Sequence, residues 1–286
     1  MFGRRSDGKK LKNIPPFLKI VPHIMSARHD SQNSFLYEAP CEPMDAFIDQ
    51  KRTEDGISYN YMHITVAAIV RLLALRPQLN RFVMNGRIYK RNKIYISFAV
   101  KKALTDDDVG TTVKLEFDGR ESISDVKRAV DDSIRQNAVR SSNNNTDKTA
   151  KFLTRVPNAL IKLAVGFLKL LDRHGMLFKK VIDASPFHTS CFFTNMKSIK
   201  TDYIYHHLYD FGTTGLFVAI GKETLRPVVD EDGNLAVGKR MSMGIVTDER
   251  FCDGFYYANS FRVLRKLLAD PQLLDERLAA KTEDID

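Results

Sequence analysis

The stretch Thr247-Asp248-Glu249-Arg250-Phe251-Cys252-Asp253-Gly254-Phe255 stands between two runs of different periodicity. Before it, Met241-Ser242-Met243-Gly244-Ile245-Val246 reads as a strand. After it, Phe255, Ala258, Phe261, Leu264 and Leu268 recur at helical spacing and predict one apolar helix face. An exposed acid pair, a buried Phe-Cys and an Asp-Gly turn thus fall at a strand-to-helix junction, a place where chemistry is often carried.

Working outward, the last third is rich in strands. Apolar strands are predicted over 190–196 and 215–221, and a hairpin over 227–237 around Asp230-Glu231-Asp232-Gly233-Asn234. Residues 148–180 are the most hydrophobic helical part, with Phe152-Leu153 and a run from Ala159 to Leu171 that holds Lys162 and Lys169. Such a helix can lie on a membrane surface; packing on the core or on a neighbouring subunit is the favoured reading. Pro157 and Gly166 argue against one straight helix. The loop Ser141-Ser142-Asn143-Asn144-Asn145 precedes it.

The first half mixes helices and strands. A strand is expected over 33–39 and a helix over 44–52, opened by Glu42-Pro43. A second helix over 61–76 is stopped by Pro77. Asn85-Gly86 between apolar runs is a hairpin signal. Strands at 94–100 and 112–117, split by the acidic loop Asp106-Asp107-Asp108, lead to a helix over 123–137 capped by Ser122, with Asp125 in its first turn. Near the start, a short apolar piece at Phe17–Val21 is expected to break at Pro22.

Composition narrows the class. With 286 residues, 43% hydrophobic and 28% charged, the chain can bury a large core and reads as an ordinary globular protein. No apolar run is long enough to span a bilayer, and the basic N-terminus lacks an apolar signal core. Cys41, Cys191 and Cys252 are far apart, without metal spacing, which predicts a reduced, cytoplasmic setting and no metal. The net charge of +9 is concentrated in Arg4, Arg5, Lys9, Lys10 and Lys12 and in scattered helix positions. No aromatic-interleaved basic strand accompanies it, so it reads as solvated surface and not as a nucleic-acid site.

In this order the residues resemble the chloramphenicol acetyltransferase and 2-oxo acid dehydrogenase acyltransferase superfamily, whose signature is a catalytic His, three residues, then Asp-Gly. Cys252-Asp253-Gly254-Phe255 fits, while Glu249 occupies the His position. The resemblance runs over about 33–274. The segment ITVAAIVRLLALRPQLNRFVMNGRIYKRNKIYISFAV (64–100) is similar to the family's helix, hairpin and following strand. CFFTNMK (191–197) is similar to the strand that carries the oxyanion-binding Ser, with Thr194 at that position. The resemblance implies an α+β fold, a two-layer mixed β-sheet flanked by helices. It further implies a homotrimer with active-site channels between subunits, and coenzyme A or acyl-CoA as co-substrate. The chain reads as a single catalytic-type domain over 1–286, with a basic N-terminal extension (1–30) and an expanded helical segment (143–187). Unlike dehydrogenase acyltransferases it has no lipoyl or peripheral-subunit-binding domain, so a dehydrogenase-complex core is the poorest reading.

In the family the His takes a proton from a thiol or hydroxyl that attacks a thioester, and a hydroxyl holds the oxyanion. Moving a proton from a thiol to an ordinary His costs roughly 3 kcal/mol, and to an ordinary Glu roughly 6 kcal/mol. Glu249 would need burial to close that gap, and Arg250, if it faced Glu249, would oppose it. His188 precedes the Thr194 strand and is placed to enter the channel; His206-His207 lies between the two apolar strands. A structural role is the alternative for each, as is an ordinary strand threonine for Thr194. By the resemblance, Asp253 pairs with an Arg, for which Arg28 is a candidate. Cys252 reads as packing. Asp210-Phe211-Gly212, the Gly-Lys at 221–222 and the acidic hairpin turn lack the partners of a kinase, a P-loop or a calcium loop. Two readings follow: an acyltransferase with a non-standard base, Glu249 or His188, and a catalytically inactive trimer that binds acyl-CoA or serves as a scaffold.

Overall fold

The computed structural model describes residues 5–100, 110–140, 156–229 and 232–286; Arg4, Asp106–Asp108, Ser141–Asn145, Phe152–Leu153 and Asp230–Glu231 lie outside them. The strands are β1 (Gly8–Lys10), β2 (Gln32–Pro40), β3 (Arg81–Met84), β4 (Arg87–Arg91), β5 (Ile94–Val100), β6 (Thr111–Phe117), β7 (Cys191–Asn195), β8 (Leu216–Val229) and β9 (Leu235–Asp248). The helices are α1 (Pro16–Ile24), α2 (Glu42–Glu54), α3 (Tyr61–Leu75), α4 (Ile123–Arg140), α5 (Asn158–Arg173), α6 (Lys179–Ala184) and α7 (Gly254–Ala269).

Local chemistry sets several boundaries. Asn60 caps α3: its Oδ1 accepts from His63 N–H, and His63 Nδ1 accepts from Asn60 N–H. Ser122 and Asp125 make the same reciprocal cap on α4. Asn85 (φ 51°) and Gly86 (φ 67°) both take the left-handed backbone that a tight β3–β4 hairpin requires. α3 is apolar nearly all round and is correspondingly buried from Ile64 to Ala74.

The main sheet has the order β2-β9-β8-β7-β5-β6, and β7 is parallel to β5 and β8 while the other pairs are antiparallel. One face packs on α3 and α7 around Ile69, Leu72, Phe193, Val218, Ile245 and Leu264. The other is covered by the loop after β7, where Phe192, Leu208, Phe217 and Val246 form a second apolar cluster. That loop lies close because Gly244 has no side chain: a Cβ there would stand 2.1 Å from Ile204 O. The expected α+β architecture, a mixed sheet flanked by helices, is what the chain forms.

Part of the N-terminal extension is tied in: β1 pairs with β4 and joins it and β3 in a three-stranded sheet. Three expectations are corrected. Pro22 lies inside α1 instead of breaking it. The buried side of α7 is Tyr257, Ser260, Leu264, Leu267 and Leu268, whereas Phe255 is 77% exposed. α5 runs through Gly166, after Pro157 at its cap, and is not packed on the core: within it only Asp172 is fully buried.

Candidate active site

The end of β9 is fixed by main-chain hydrogen bonds before any side chain acts. Asp248 N–H donates to Gly215 O at 3.0 Å, and Glu249 N–H donates to Ser31 O at 2.9 Å. Asp248 is fully buried and not exposed as expected. Its carboxylate accepts from Nε and Nη2 of Arg250 at 2.8 and 2.7 Å and from Ser31 Oγ at 3.2 Å. Arg28, also buried, brings Nε to 3.9 Å of the same carboxylate. Its Nη1 donates to the carbonyls of Tyr209 and Asp210. Burial pushes the Arg28 guanidinium down to about 10, against the attraction of Asp248. One buried carboxylate facing two guanidiniums locks the strand end to the chain before β2.

Arg250 is therefore spent on Asp248, and the Glu249–Arg250 pairing considered from the sequence does not form. Glu249 is half-buried and accepts from Asn33 Nδ2 at 2.6 Å. Asp253 is exposed and caps α7, accepting from Tyr256 N–H at 2.8 Å. Its extended backbone aims the carboxylate at the helix's own first turn, so Arg28 meets Asp248 and not Asp253. Burial pushes the Cys252 thiol up to about 12, leaving it protonated near neutral pH and a packing group, as expected.

His188 is buried, with both ring nitrogens engaged. Nε2–H donates to Asp172 Oδ2 at 3.1 Å, and Nδ1 meets Ser185 Oγ at 2.8 Å. Asp172 also accepts from Arg5 Nη1 at 2.6 Å. His206 stacks on Phe217 with centroids 4.1 Å apart, and His207 is exposed beside it. Thr194 is half-buried near the end of β7; the nearest partner of its hydroxyl is Met196 Sδ at 3.9 Å. Through β8, Thr194 is in register with Gly244. Glu249 is five residues beyond Gly244, roughly 17 Å along the strand. One chain therefore brings Asp248, Arg250, Arg28 and Glu249 together and leaves Thr194 apart from them along the sheet.

A cavity of about 600 Å³ opens beside the lock, with Arg28 and Arg250 on one wall and Lys169, Asp172 and Arg173 of α5 on another. Among the described residues no group of three or more His, Cys, Asp or Glu is arranged to hold a metal ion. Sequence reasoning missed Asp172, Arg5, Asn33 and the exposed His29–Asp210 pair at 2.9 Å. Of these only Asn33 carried a signal, as a polar residue in a predicted strand.

The family model of the 2-oxoacid dehydrogenases acyltransferase (catalytic domain) matches residues 215–275. No curated protein matches the sequence. Among solved structures, the cubic core of the pyruvate dehydrogenase multienzyme complex aligns with a TM-score of 0.56 at 14% identity, over 93% of this chain and 94% of that one. Dihydrolipoamide acetyltransferase from Azotobacter vinelandii aligns at 0.56 and 13%, over 93% and 94%; its structure addresses the role of a Ser, a His and an Asn in catalysis. Chloramphenicol acetyltransferase aligns at 0.52 and 11%, over 91% and 99%. The resemblance read in the sequence holds, and the fold is that of these acyltransferases.

Proposed function

We propose that this chain, acting as one acyltransferase-type domain in a homotrimer, transfers an acyl group from a coenzyme A thioester to a thiol at sites between subunits. Glu249 is the base, and Thr194 of the adjoining copy holds the oxyanion. The observation that carries this reading is the state of Glu249. It is half-buried, oriented by Asn33, and left unneutralised because Asp248 occupies Arg250. Asp253 follows it by four residues and shapes the turn as the cap of α7.

The chemistry selects the acceptor. Deprotonating a thiol with a carboxylate costs roughly 6 kcal/mol, whereas a hydroxyl as weakly acidic as water would cost about 15 kcal/mol. In the proposed step Glu249 takes the thiol proton, the thiolate adds to the thioester carbonyl, and Thr194 Oγ1–H donates to the oxyanion. The C–S bond to coenzyme A then breaks, and its thiolate recovers the proton. Arg173 and Arg28 on the cavity wall suit the phosphate-bearing end of coenzyme A.

Two features support assembly from copies. Thr194 and Glu249 are far apart in one chain, so a complete site needs a neighbour. The β8–β9 hairpin also leaves Leu225, Val229, Leu235 and Val237 at least 70% exposed, and the register puts them on one face. A cytoplasmic setting suits the three cysteines, all free and buried. A second reading, a trimer that binds an acyl carrier without turnover, is favoured by one observation: His188 has no free ring nitrogen.

The test is release of free coenzyme A from acetyl-CoA and longer acyl-CoAs with a panel of thiol acceptors, wild type beside Glu249→Gln and Thr194→Val. Turnover that falls at least about a hundredfold in both variants supports the proposal. Coenzyme A binding without turnover in the wild type selects the inert trimer.

A further inference from the structure

α5 has apolar residues on two sides: Ile161, Leu168 and Leu171 are half-buried beside Asp172, and a second apolar stripe is turned outward. Asn158, Lys162, Lys169 and Arg173 follow one another at spacings of four, seven and four, which makes a polar stripe. Leu160, Leu163, Phe167 and Leu170, at spacings of three and four, make an apolar stripe on another side. A helix of a globular chain ordinarily turns such a stripe to the core. Here all four apolar side chains are more than half exposed, and the residue buried against the protein is the carboxylate Asp172.

The neighbouring α1 repeats the arrangement. Phe17, Ile20 and Ile24, at spacings of three and four, are also more than half exposed, with Lys19 and His23 between them. The C-terminal ends of α1 and α5 line the same cavity, through Pro22 and His23 on one side and Lys169 and Arg173 on the other. The two helices thus adjoin at their C-terminal ends, and Phe178, 71% exposed, adds a further exposed apolar residue just after α5.

We propose that this end docks on an anionic membrane surface, with α5 lying in the plane of the headgroups. At 16 residues α5 is about 24 Å long and too short to cross a bilayer. No helix of the described residues is long and apolar enough to do so. A basic stripe beside an apolar one is the pattern of interfacial helices, whose cations meet lipid phosphates while the apolar side enters the acyl boundary. Lys162 and Lys169 form no ion pair with any described residue and are available for that role. A second copy fits this face less well, because α5 offers the two lysines no free carboxylate of its own: its one acid, Asp172, is held by Arg5 and His188. The exposed hairpin face differs in this respect: its cation Lys239 is already paired with Asp45. Subunit contact is thereby assigned to the hairpin, and lipid contact to α5 and α1.

The experiment is flotation of the full chain with vesicles of phosphatidylcholine, with and without phosphatidylglycerol, at low and high salt. The variants are Leu163→Glu with Phe167→Glu, and Lys162→Glu with Lys169→Glu, all at exposed positions. Wild type is expected to float with phosphatidylglycerol vesicles and to be released by salt. Each double variant is expected to bind at least about tenfold more weakly. The proposal is overturned if wild type stays in solution with anionic vesicles, or if both variants float as wild type does. It is overturned equally if the Leu163/Phe167 variant lowers the molar mass by light scattering without lipid, since α5 would then join copies.

Discussion

His188 donates through Nε2–H to Asp172 at 3.1 Å, deep in the protein, while the same carboxylate accepts from Arg5 at 2.6 Å. Arg5 also holds Asp7, at 2.8 and 3.0 Å, and stands 5.2 Å over the Phe82 ring. Three stretches distant in sequence are thereby joined by charged groups that have no access to water. Burial pushes the Asp172 carboxyl up, but the His188 hydrogen bond and Arg5 outweigh it and hold it below the usual range.

A histidine held in this way is expected to be structural, and mutation tests it. His188→Ala is expected to cost about 2–4 kcal/mol in urea unfolding, since it opens a cavity and leaves Asp172 with one partner fewer. Turnover per folded molecule should be unchanged; lost turnover at unchanged stability would put His188 in the chemistry. The pH dependence has a definite sign. A carboxylate depressed in the folded state adds stability above the ordinary Asp value of 3.8, and that stability is lost as pH falls through the folded value. The advantage of wild type over Asp172→Asn should therefore be full near neutrality and shrink below about pH 4.

Adjacent carboxylates at the strand end should separate stability from activity. Asp248→Asn leaves the buried Arg28 and Arg250 without their counter-charge and is expected to cost about 3–5 kcal/mol. Glu249→Gln keeps a group that can accept from Asn33 Nδ2 and should cost under about 1 kcal/mol. Thermal unfolding of both, read beside coenzyme A release, checks the contrast. A large stability loss in Glu249→Gln would make Glu249 part of the lock and not the base.

The hairpin supplies the assembly test. Leu225→Asp with Val237→Asp changes two side chains that are each 74% exposed, so the fold of one chain should be untouched. In an oligomer that buries them, two carboxylates at the contact would cost several kcal/mol, about 2 or more each. Light scattering is expected to show monomers, with turnover lost and the unfolding of the monomer cooperative. A trimer that persists would move the contact to another face.

What the sequence made legible is what local chemistry decides. Asn85-Gly86, Pro77 after α3, Ser122 with Asp125, and the Asp253-Gly254 junction each act within a few residues of themselves, and each stands where expected. Gly8–Lys10 escaped notice because a three-residue strand exists only through its pairing with β4. Asp248 reads as exposed because a carboxylate usually is; of the two guanidiniums that face it, Arg250 is its neighbour but Arg28 comes from 220 residues away in sequence. Asp253 was given an Arg partner by resemblance, but its own helix claimed it. Thr194 and Glu249 are separated along the sheet, so the fold of one chain does not bring them together.

Lys114 offers a check on the electrostatics of the sheet edge. Its Nζ donates to Ile182 O at 2.8 Å and stands 4.6 Å over the Tyr95 ring. Burial, helped by repulsion from Arg91, pushes this lysine down to about 8. In the unfolded chain it binds its proton more tightly, at 10.5, so the folded state is penalised wherever the lysine is charged. The penalty is full below pH 8 and is relieved as pH rises to about 10.5. Lys114→Met removes it and keeps a contact with Tyr95 through the thioether. Because the site is half-open to solvent the gain should be only about 1 kcal/mol at pH 7. Ile182 O keeps a second donor in Ser185 N–H, so no carbonyl is stranded. Urea midpoints at pH 7 and pH 10 should show the variant ahead at the lower pH and nearly level at the higher. An equal gain at both would place its origin in packing and not in the charge.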